Sequence, residues 1–281
     1  MGRGIKTIDL EKGCFMMKFS CQDKLFPGQT QTEKYLNAAE AGFDSIEVNA
    51  RSVDDLKERV DEIKKATAAS GISPSTVCGG YRGWIGHFEK DMRNTAIKDI
   101  KALFPLMNSI GAAGIVVPAA VGMFSKKLPP NIPPRGEDED RKVLTESLSI
   151  LGEAAAKHNV TIIFEPLNRY EDHMVNTVGQ AVDIIKLVNN PSVVTMIDFF
   201  HANMEESDLA VTIQKFKDNI KHVHLADSNR MQPGKGHIDF TRPFKALKDI
   251  NFDGYCALEC NIIGEGVPPL KETLDYLKSC T

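Results

Sequence analysis

The sequence of 281 residues contains little that points to a membrane, to export or to nucleic acid. No stretch approaches the roughly 20 apolar residues of a membrane span, and the N-terminus MGRGIKTIDLEKG lacks the hydrophobic core of a secretion signal. Its 34 basic and 38 acidic side chains give a net charge of −4. This balance does not predict a basic surface that would bind nucleic acid or anionic lipid. We therefore expect a cytoplasmic protein with no nucleic-acid or membrane partner.

Cysteine is present but shows none of the close pairs that bind zinc or carry out redox chemistry. The six cysteines are Cys14, Cys21, Cys78, Cys256, Cys260 and Cys280. None forms a CxxC pair, and a chain of this length buries a sizeable core without disulfides. We expect them to be reduced and mostly buried.

Strand-like and helix-like segments alternate along the chain. Short apolar runs predict eight strands, at 15–21, 45–50, 73–80, 113–120, 160–166, 193–199, 220–227 and 254–260. Amphipathic stretches predict helices at about 32–42, 53–70, 90–110, 138–158, 177–189, 207–217, 241–249 and 268–279. Gly42 should end the first helix, and Ser52 with Asp55 resembles a capping box for the second.

Eight strand–helix units predict an α/β protein with a (β/α)8 TIM barrel, formed by residues 1–281 as a single domain. The alternative is a doubly wound open sheet, but the early strand–helix turns contain no GxGxxG motif. The proline-rich and acidic segment 126–140 is best explained as a long loop over the barrel mouth.

Four of the predicted strands finish on a polar side chain that can bind a metal. They are Glu165, Asp198, His224 and Glu259. In a (β/α)8 barrel the carboxyl ends of the strands surround one mouth, so these side chains should converge. Three carboxylates and one imidazole suit Mn, Co or Mg, and zinc less well because no thiolate takes part.

Each of these residues also has an ordinary structural explanation. A single acid at a strand end is more often a helix cap or a member of a surface ion pair. The metal site is favoured because four such residues follow one another on successive strands. Of the two histidines on the seventh strand, we expect only one to point into the barrel, and the spacing to the following ADSNR favours His224 over His222.

At these positions the chain resembles the xylose isomerase-like sugar isomerases and epimerases, and most of all the D-tagatose 3-epimerase and D-psicose (allulose) 3-epimerase group. The resemblance lies mainly in the C-terminal half of the chain. Its motifs are EPLNRYE (165–171), DFFHANMEE (198–206), HVHLADSNR (222–230), PGKGHIDF (233–240) and LEC (258–260). The N-terminal half matches only in its strand–helix rhythm.

The resemblance implies that Glu165, Asp198, His224 and Glu259 hold one divalent ion, usually Mn²⁺ or Co²⁺, with Mg²⁺ or Zn²⁺ as alternatives. It also implies that three further residues contact the sugar: Glu171, His201 and Arg230. Without the motif context, Glu171 would be a solvated loop charge, His201 a strand-end hydrogen-bond partner and Arg230 part of an ion pair.

The chemistry implied is inversion of C3 in a free ketose through an enediolate. Glu165 and Glu259 would be the catalytic pair, one removing the proton beside the polarised carbonyl and the other returning a proton to the opposite face. No glycine-rich phosphate cradle follows the last two strands, which favours an unphosphorylated sugar. Family precedent implies a homodimer or homotetramer.

Several alternatives stay open on the same scaffold. They are aldose–ketose or hydroxypyruvate-type isomerisation, processing of a keto-sugar glycoside, a phosphodiesterase like endonuclease IV, and a sugar-binding protein without activity. Only seven histidines and a negative charge disfavour the endonuclease. The likeness is weakest in the loops 79–91 and 121–137, where Trp84 and Phe124 either pack on the sugar or only within their loops.

Overall fold

Eight parallel strands close into a barrel in the computed structural model, which describes residues 16–127, 129 and 132–281. The strands are β1 Lys18–Gln22, β2 Ser45–Ala50, β3 Ser73–Gly79, β4 Gly114–Pro118, β5 Thr161–Glu165, β6 Val193–Asp198, β7 Ile220–Leu225 and β8 Tyr255–Leu258. Each strand pairs with the next, and β8 pairs with β1. The predicted (β/α)8 TIM barrel is confirmed.

Helices follow the strands on the outside of the barrel. They are α1 Gln31–Ala41, α2 Val53–Ser70, α3 Lys90–Ile110, α4 Glu137–Lys157, α5 Val178–Val188, α6 Phe199–Glu205, α7 Leu209–Lys215, α8 Thr241–Asp249 and α9 Pro268–Ser279. None of the helices in the described ranges is long and apolar enough to cross a bilayer. A short 3-10 turn, Asp23–Leu25, follows β1.

Local sequence signals explain where two of these helices begin and end. Gly42 follows α1 with φ of 89°, a left-handed conformation that glycine adopts without strain. The Ser52 side chain accepts a hydrogen bond from the backbone N–H of Asp55, as a helix cap should. The predicted reciprocal bond is not made, because the Asp55 carboxylate accepts from the N–H of Arg51 instead.

Alternation along the strands divides the apolar side chains between two layers. Val116 and Ile163 belong to a small cluster with Met196, separate from the main core. Their neighbours Val117 and Phe164 are fully buried in the large core beneath the helices. Successive side chains of a strand point to opposite faces, so the small cluster fills the barrel interior, and polar side chains occupy the interior above it.

Two sequence predictions fall partly outside the described residues. The first strand is predicted from residue 15 and observed from Lys18, and residue 15 and Cys14 are not described. The other five cysteines are free: Cys21, Cys256 and Cys260 are buried, and Cys78 and Cys280 are half-buried. This agrees with the expectation of reduced, mostly buried cysteines.

Candidate active site

The four predicted metal ligands meet at the carboxyl ends of the last four strands. Glu165 ends β5, Asp198 ends β6, His224 lies near the end of β7, and Glu259 directly follows β8. One side-chain atom from each lies within 4.8 Å of the others. The barrel therefore brings together four residues that are widely separated in the sequence.

Two atoms of this group are buried without a hydrogen-bond partner in the described part of the chain, Glu165 Oε1 and His224 Nδ1. His224 Nδ1 lies 3.5 Å from Glu165 Oε1 and 3.9 Å from Asp198 Oδ2. Its distance to Glu259 Oε2 is 3.0 Å, but the geometry is not that of a hydrogen bond. Unpartnered buried polar atoms are costly, and a divalent cation between them would satisfy both. The donor set and its spacing fit such an ion.

A second layer of polar side chains lies directly against the ligands and is centred on Glu47 of β2. Glu47 Oε2 accepts hydrogen bonds from Thr76 Oγ1 at 2.7 Å and from the Nε2 atoms of His222 and His224 at 3.0 and 3.2 Å. The amide of Gln22 donates to Glu47 and to Glu259, each at 2.9 Å. Despite complete burial, the histidines hold the pKa of Glu47 well below its usual range.

The expectation that only one histidine of β7 enters the barrel is wrong. Both His222 and His224 donate to Glu47, and both side chains are buried. The reason is the strand period of two: residues separated by one position share a face. His224 reaches the ligand group, and His222 lies one layer deeper.

Asp198 has two functions that the sequence does not separate. Its Oδ1 accepts from the backbone N–H groups of Phe200 at 2.7 Å and His201 at 3.3 Å, which caps α6. Its Oδ2 belongs to the ligand group and accepts from Arg230 Nη1 at 2.6 Å. The sequence pattern does not predict helix α6. This helix has only seven residues, and its cap places His201 one turn from Asp198.

Arg230 spans two of the candidate ligands. Besides Asp198, its Nη2 donates to Glu259 Oε2 at 2.6 Å, and its guanidinium lies 4.8 Å above the Phe200 ring. These two carboxylates raise the pKa of Arg230, although burial opposes the shift. The residue has a left-handed φ of 61°, which is uncommon for a residue other than glycine.

A cavity of about 180 Å³ opens above the ligand group, and we call it the central cavity. It is lined by the three predicted sugar-contact residues, Glu171, His201 and Arg230, together with Glu165 and Glu259. Tyr81 and Trp84 form an aromatic wall, with ring centroids 5.9 Å apart. The predicted catalytic and sugar-contact residues therefore surround one space, and two of the four predicted ligands, Glu165 and Glu259, are among them.

Asn168 links two of these residues, and the sequence does not single it out. Its side-chain amide donates to Glu171 Oε1 and lies 2.8 Å from His201 Nδ1, which the Asn168 backbone N–H also approaches at 3.2 Å. With donors directed at Nδ1, the His201 proton resides on Nε2. His201 is thus a hydrogen-bond donor at the cavity.

The loops 79–91 and 121–137, where the sequence resembles the family least, place their aromatic residues differently. Trp84 of the loop after β3 lines the central cavity. Phe124 of the loop after β4 does not line it but packs on His173 and Phe88, with centroids 5.1 and 6.5 Å apart. Of Trp84 and Phe124, Trp84 is therefore the one placed to meet a ligand.

The two glutamates at the cavity differ in their surroundings. Burial raises the pKa of Glu165, and the nearby His224 only partly offsets this. Burial acts on Glu259 too, but His224 and Arg230 outweigh it and lower the pKa of Glu259. Two carboxyl groups with opposed shifts at one cavity are the arrangement that acid–base catalysis needs.

A profile described as Xylose isomerase-like TIM barrel matches residues 36–280. The chain belongs to this family. A relative from Escherichia coli (strain K12) named 3-dehydro-D-guloside 4-epimerase is 38% identical over 265 residues, covering 94% of this chain and all of the relative. A D-psicose 3-epimerase from Enterocloster bolteae is 28% identical and covers 81% of this chain and 76% of its own length.

The crystal structure of an E. coli 3-keto-D-glucoside 4-epimerase, 38% identical, superposes with a TM-score of 0.89, covering 94% of this chain and all of that one. The two relatives described above, which match most of this chain, are both named sugar epimerases. This chain is therefore a sugar epimerase.

Proposed function

We propose that this protein is a divalent-metal-dependent epimerase that inverts the carbinol carbon next to the ketone of a sugar. The observation that carries the proposal is the convergence of Glu165, Asp198, His224 and Glu259, whose ligand atoms lie within 4.8 Å of one another beneath the central cavity. Mn²⁺ or Co²⁺ is the proposed ion, with Mg²⁺ or Zn²⁺ as alternatives.

The proposed substrate is a 3-keto-glycoside, inverted at C4. The 38% identity over nearly the whole chain to a relative named 3-dehydro-D-guloside 4-epimerase supports this choice. The sequence motifs favour C3 inversion of a free ketose, which remains the second candidate because relatives named D-psicose 3-epimerase also match most of the chain. Both reactions invert a carbon that carries a hydroxyl group beside a ketone, so one set of catalytic groups serves either.

A bound divalent ion would supply Lewis acidity that polarises the ketone and acidifies the neighbouring C–H. Glu165 and Glu259 are the residues proposed to move the proton: one carboxylate takes it from the carbon, and the other carboxyl group returns a proton to the opposite face. Both line the central cavity.

The sugar-contact residues would fix the substrate for this step. His201 Nε2–H and the Arg230 guanidinium are donors for sugar oxygens, and Glu171 is an acceptor for a hydroxyl group. Tyr81 and Trp84 would cover the apolar face of the ring and exclude water. The partner is thus a small sugar. The homodimer or homotetramer and the cytoplasmic location stay predictions from the sequence.

The decisive experiment measures deuterium incorporation. The Mn²⁺-loaded protein is incubated in D₂O with methyl 3-keto-glucoside and, separately, with D-fructose, D-psicose and D-tagatose, and the products are followed by NMR. We expect deuterium at C4 of the keto-glycoside together with its C4 epimer. A chelator-treated sample is the control and should incorporate none.

Other patterns would point elsewhere. Deuterium only at C3 of a ketose would support the second candidate, and deuterium at C1 or C2 would indicate an isomerase. No incorporation from any of these sugars by the metal-loaded protein would contradict the proposal.

A further inference from the structure

A second cavity, of about 380 Å³, adjoins the central cavity on the side of β1 and β8. We call it the β1–β8 cavity. Lys24 and Leu25 line it from the turn after β1, and Cys260, Asn261 and Ile262 line it from the segment after β8. Both cavities share Arg230 and Glu259 as lining residues. The two cavities are therefore neighbours that meet at the ion pair of Arg230 with the candidate catalytic glutamate, Glu259.

The two cavities differ in their access to solvent. Every residue that lines the central cavity is buried or half-buried. The β1–β8 cavity, in contrast, includes Lys24 and Asn261, which are exposed. For a molecule held at Arg230 and Glu259 that is too large for the central cavity, the β1–β8 cavity is the adjacent space open to solvent.

The turn after β1, which forms one wall, is held in place by the neighbouring strand and helix. Asp23 precedes Lys24 and is buried, with 2% of its surface exposed. Its carboxylate accepts from the backbone N–H of Asn49 at 3.0 Å and from the guanidinium of Arg59. This wall is therefore fixed before a ligand arrives, which reduces the entropic cost of binding.

The wall after β8 is fixed to the loop after β7. The Asn261 N–H donates to the carbonyl of Arg230 at 2.8 Å, and the Ile263 N–H donates to Gln232 Oε1 at 2.9 Å. The segment that carries Asn261 and Ile262 therefore moves together with Arg230. A substituent bound here would lie in a fixed position relative to the sugar oxygens that Arg230 is proposed to hold.

The chemistry of the lining suits a hydroxylated group with an apolar face. Leu25 and Ile262 offer apolar surface for the C–H face of a ring, and Asn261 and Lys24 offer donors for hydroxyl oxygens. We propose that the β1–β8 cavity binds the group attached through the glycosidic oxygen of the substrate, up to the size of a second sugar ring. This assignment rests on the proposed function. It narrows the range of proposed substrates, because glycosides with a large substituent become the preferred ones.

The test compares three 3-keto-glucosides that carry a methyl, a phenyl or a glucosyl group on the glycosidic oxygen. The variant Ile262→Trp fills the cavity. The matched control is Ile263→Trp, because Ile263 is the next residue, is 57% exposed and does not line the cavity. We expect kcat/KM of Ile262→Trp to fall by about tenfold or more for the phenyl and glucosyl substrates, mainly through KM, and to change little for the methyl substrate.

Leu25→Trp, on the opposite wall, is the second variant and should give the same selective loss. Melting curves with and without Mn²⁺ establish that each variant is folded. The assignment is overturned, and the proposed function left standing, if the wild type turns over the methyl substrate but folded Ile262→Trp and Leu25→Trp treat the three substrates like the wild type or lose all three equally. Failure of the wild type on every keto-glucoside overturns the assignment together with the proposed 3-keto-glycoside substrate.

Discussion

The Nε2 atom of His224 donates a hydrogen bond to the buried carboxylate of Glu47, at 3.2 Å. Because that carboxylate is an acceptor only, the bond places a proton on Nε2 and directs Nδ1 toward Glu165, Asp198 and Glu259. A carboxylate that holds the far nitrogen of a histidine in this way sets the orientation of the ring and its strength as a metal ligand. Glu47 is therefore a positioning residue for the metal site.

Replacing Glu47 with glutamine should weaken metal binding. The amide would keep the size of the side chain, but its NH₂ group would oppose the N–H of His222 or His224. We expect the Kd for Mn²⁺, measured by calorimetry, to rise about 10- to 100-fold in Glu47→Gln.

The control for this variant is Glu58→Gln, on the exposed face of α2, which should leave the Kd unchanged. The absorption spectrum of the Co²⁺-loaded protein gives a second readout, since a displaced imidazole changes the coordination geometry. An unchanged Kd and spectrum in folded Glu47→Gln would show that Glu47 only fills space.

Replacing Glu259 with glutamine should abolish turnover. The amide keeps the shape and a hydrogen-bond acceptor for Arg230 but cannot exchange a proton, so kcat should fall at least about a hundredfold. Metal binding should weaken without being lost, because Glu165, Asp198 and His224 remain. Circular dichroism checks the fold, and near-normal activity in this variant would remove Glu259 from the proton-transfer step.

Replacing Arg230 with methionine should separate sugar binding from metal binding. Arg230 pairs with Asp198 and Glu259, so its removal frees two carboxylates and should not weaken the Kd for Mn²⁺. Turnover should fall on the order of a hundredfold because the sugar oxygens lose their orienting donor. Arg230→Lys keeps the charge but not the planar fork, and we expect only partial recovery. Weaker metal binding in Arg230→Met would contradict this division of roles.

The stability of the fold should depend on pH through Asp172, a buried carboxyl group outside the ligand set. Burial raises its pKa from 3.8 to about 6. Between these values the folded chain binds more protons than the unfolded chain, so the contribution of Asp172 to stability falls as pH rises from about 4 to 6. The loss is on the order of 3 kcal/mol.

Asp172→Asn should remove this loss, because the amide does not titrate and can still accept from the Val175 N–H. Urea unfolding at several pH values should show the variant gaining on the wild type from pH 4 to pH 6. Asp183→Asn, at a side chain that is 57% exposed, is the control and should follow the wild type. A pH-independent difference between Asp172→Asn and the wild type would contradict the shifted pKa.

The barrel and its four candidate ligands could be predicted from the sequence because their signals are local. An apolar strand that ends on Glu165 or Asp198 is unusual in itself, and the order of elements fixes where such ends meet. Helix α6 could not be predicted in this way. Seven residues are too few for a helical period, and the cap is Asp198, which the sequence already explains as a ligand.

Glu47 has no sequence signal strong enough to predict its role, because its partners are far away in the chain. It lies in SIEVNA, a short strand, and its bond to His222 joins residues 175 positions apart. A single glutamate between Ile46 and Val48 is the only signal available. In the β1–β8 cavity, the sequence motifs include only Arg230, Glu259 and Cys260. The other lining residues belong to no motif and come from opposite ends of the sequence: Lys24, Leu25, Asn261 and Ile262.

Most of the proposed metal ligands and the residues proposed to select the substrate come from different parts of the barrel. The ligands Glu165, Asp198 and His224 are parts of barrel strands, whereas Trp84 and Ile262 belong to segments between strands and helices. Exchange of the loop after β3, or of the residues beyond Cys260, can change which sugars are admitted while Glu165 and Glu259 stay in place. One barrel with one pair of reacting carboxylates can thereby serve several sugar substrates.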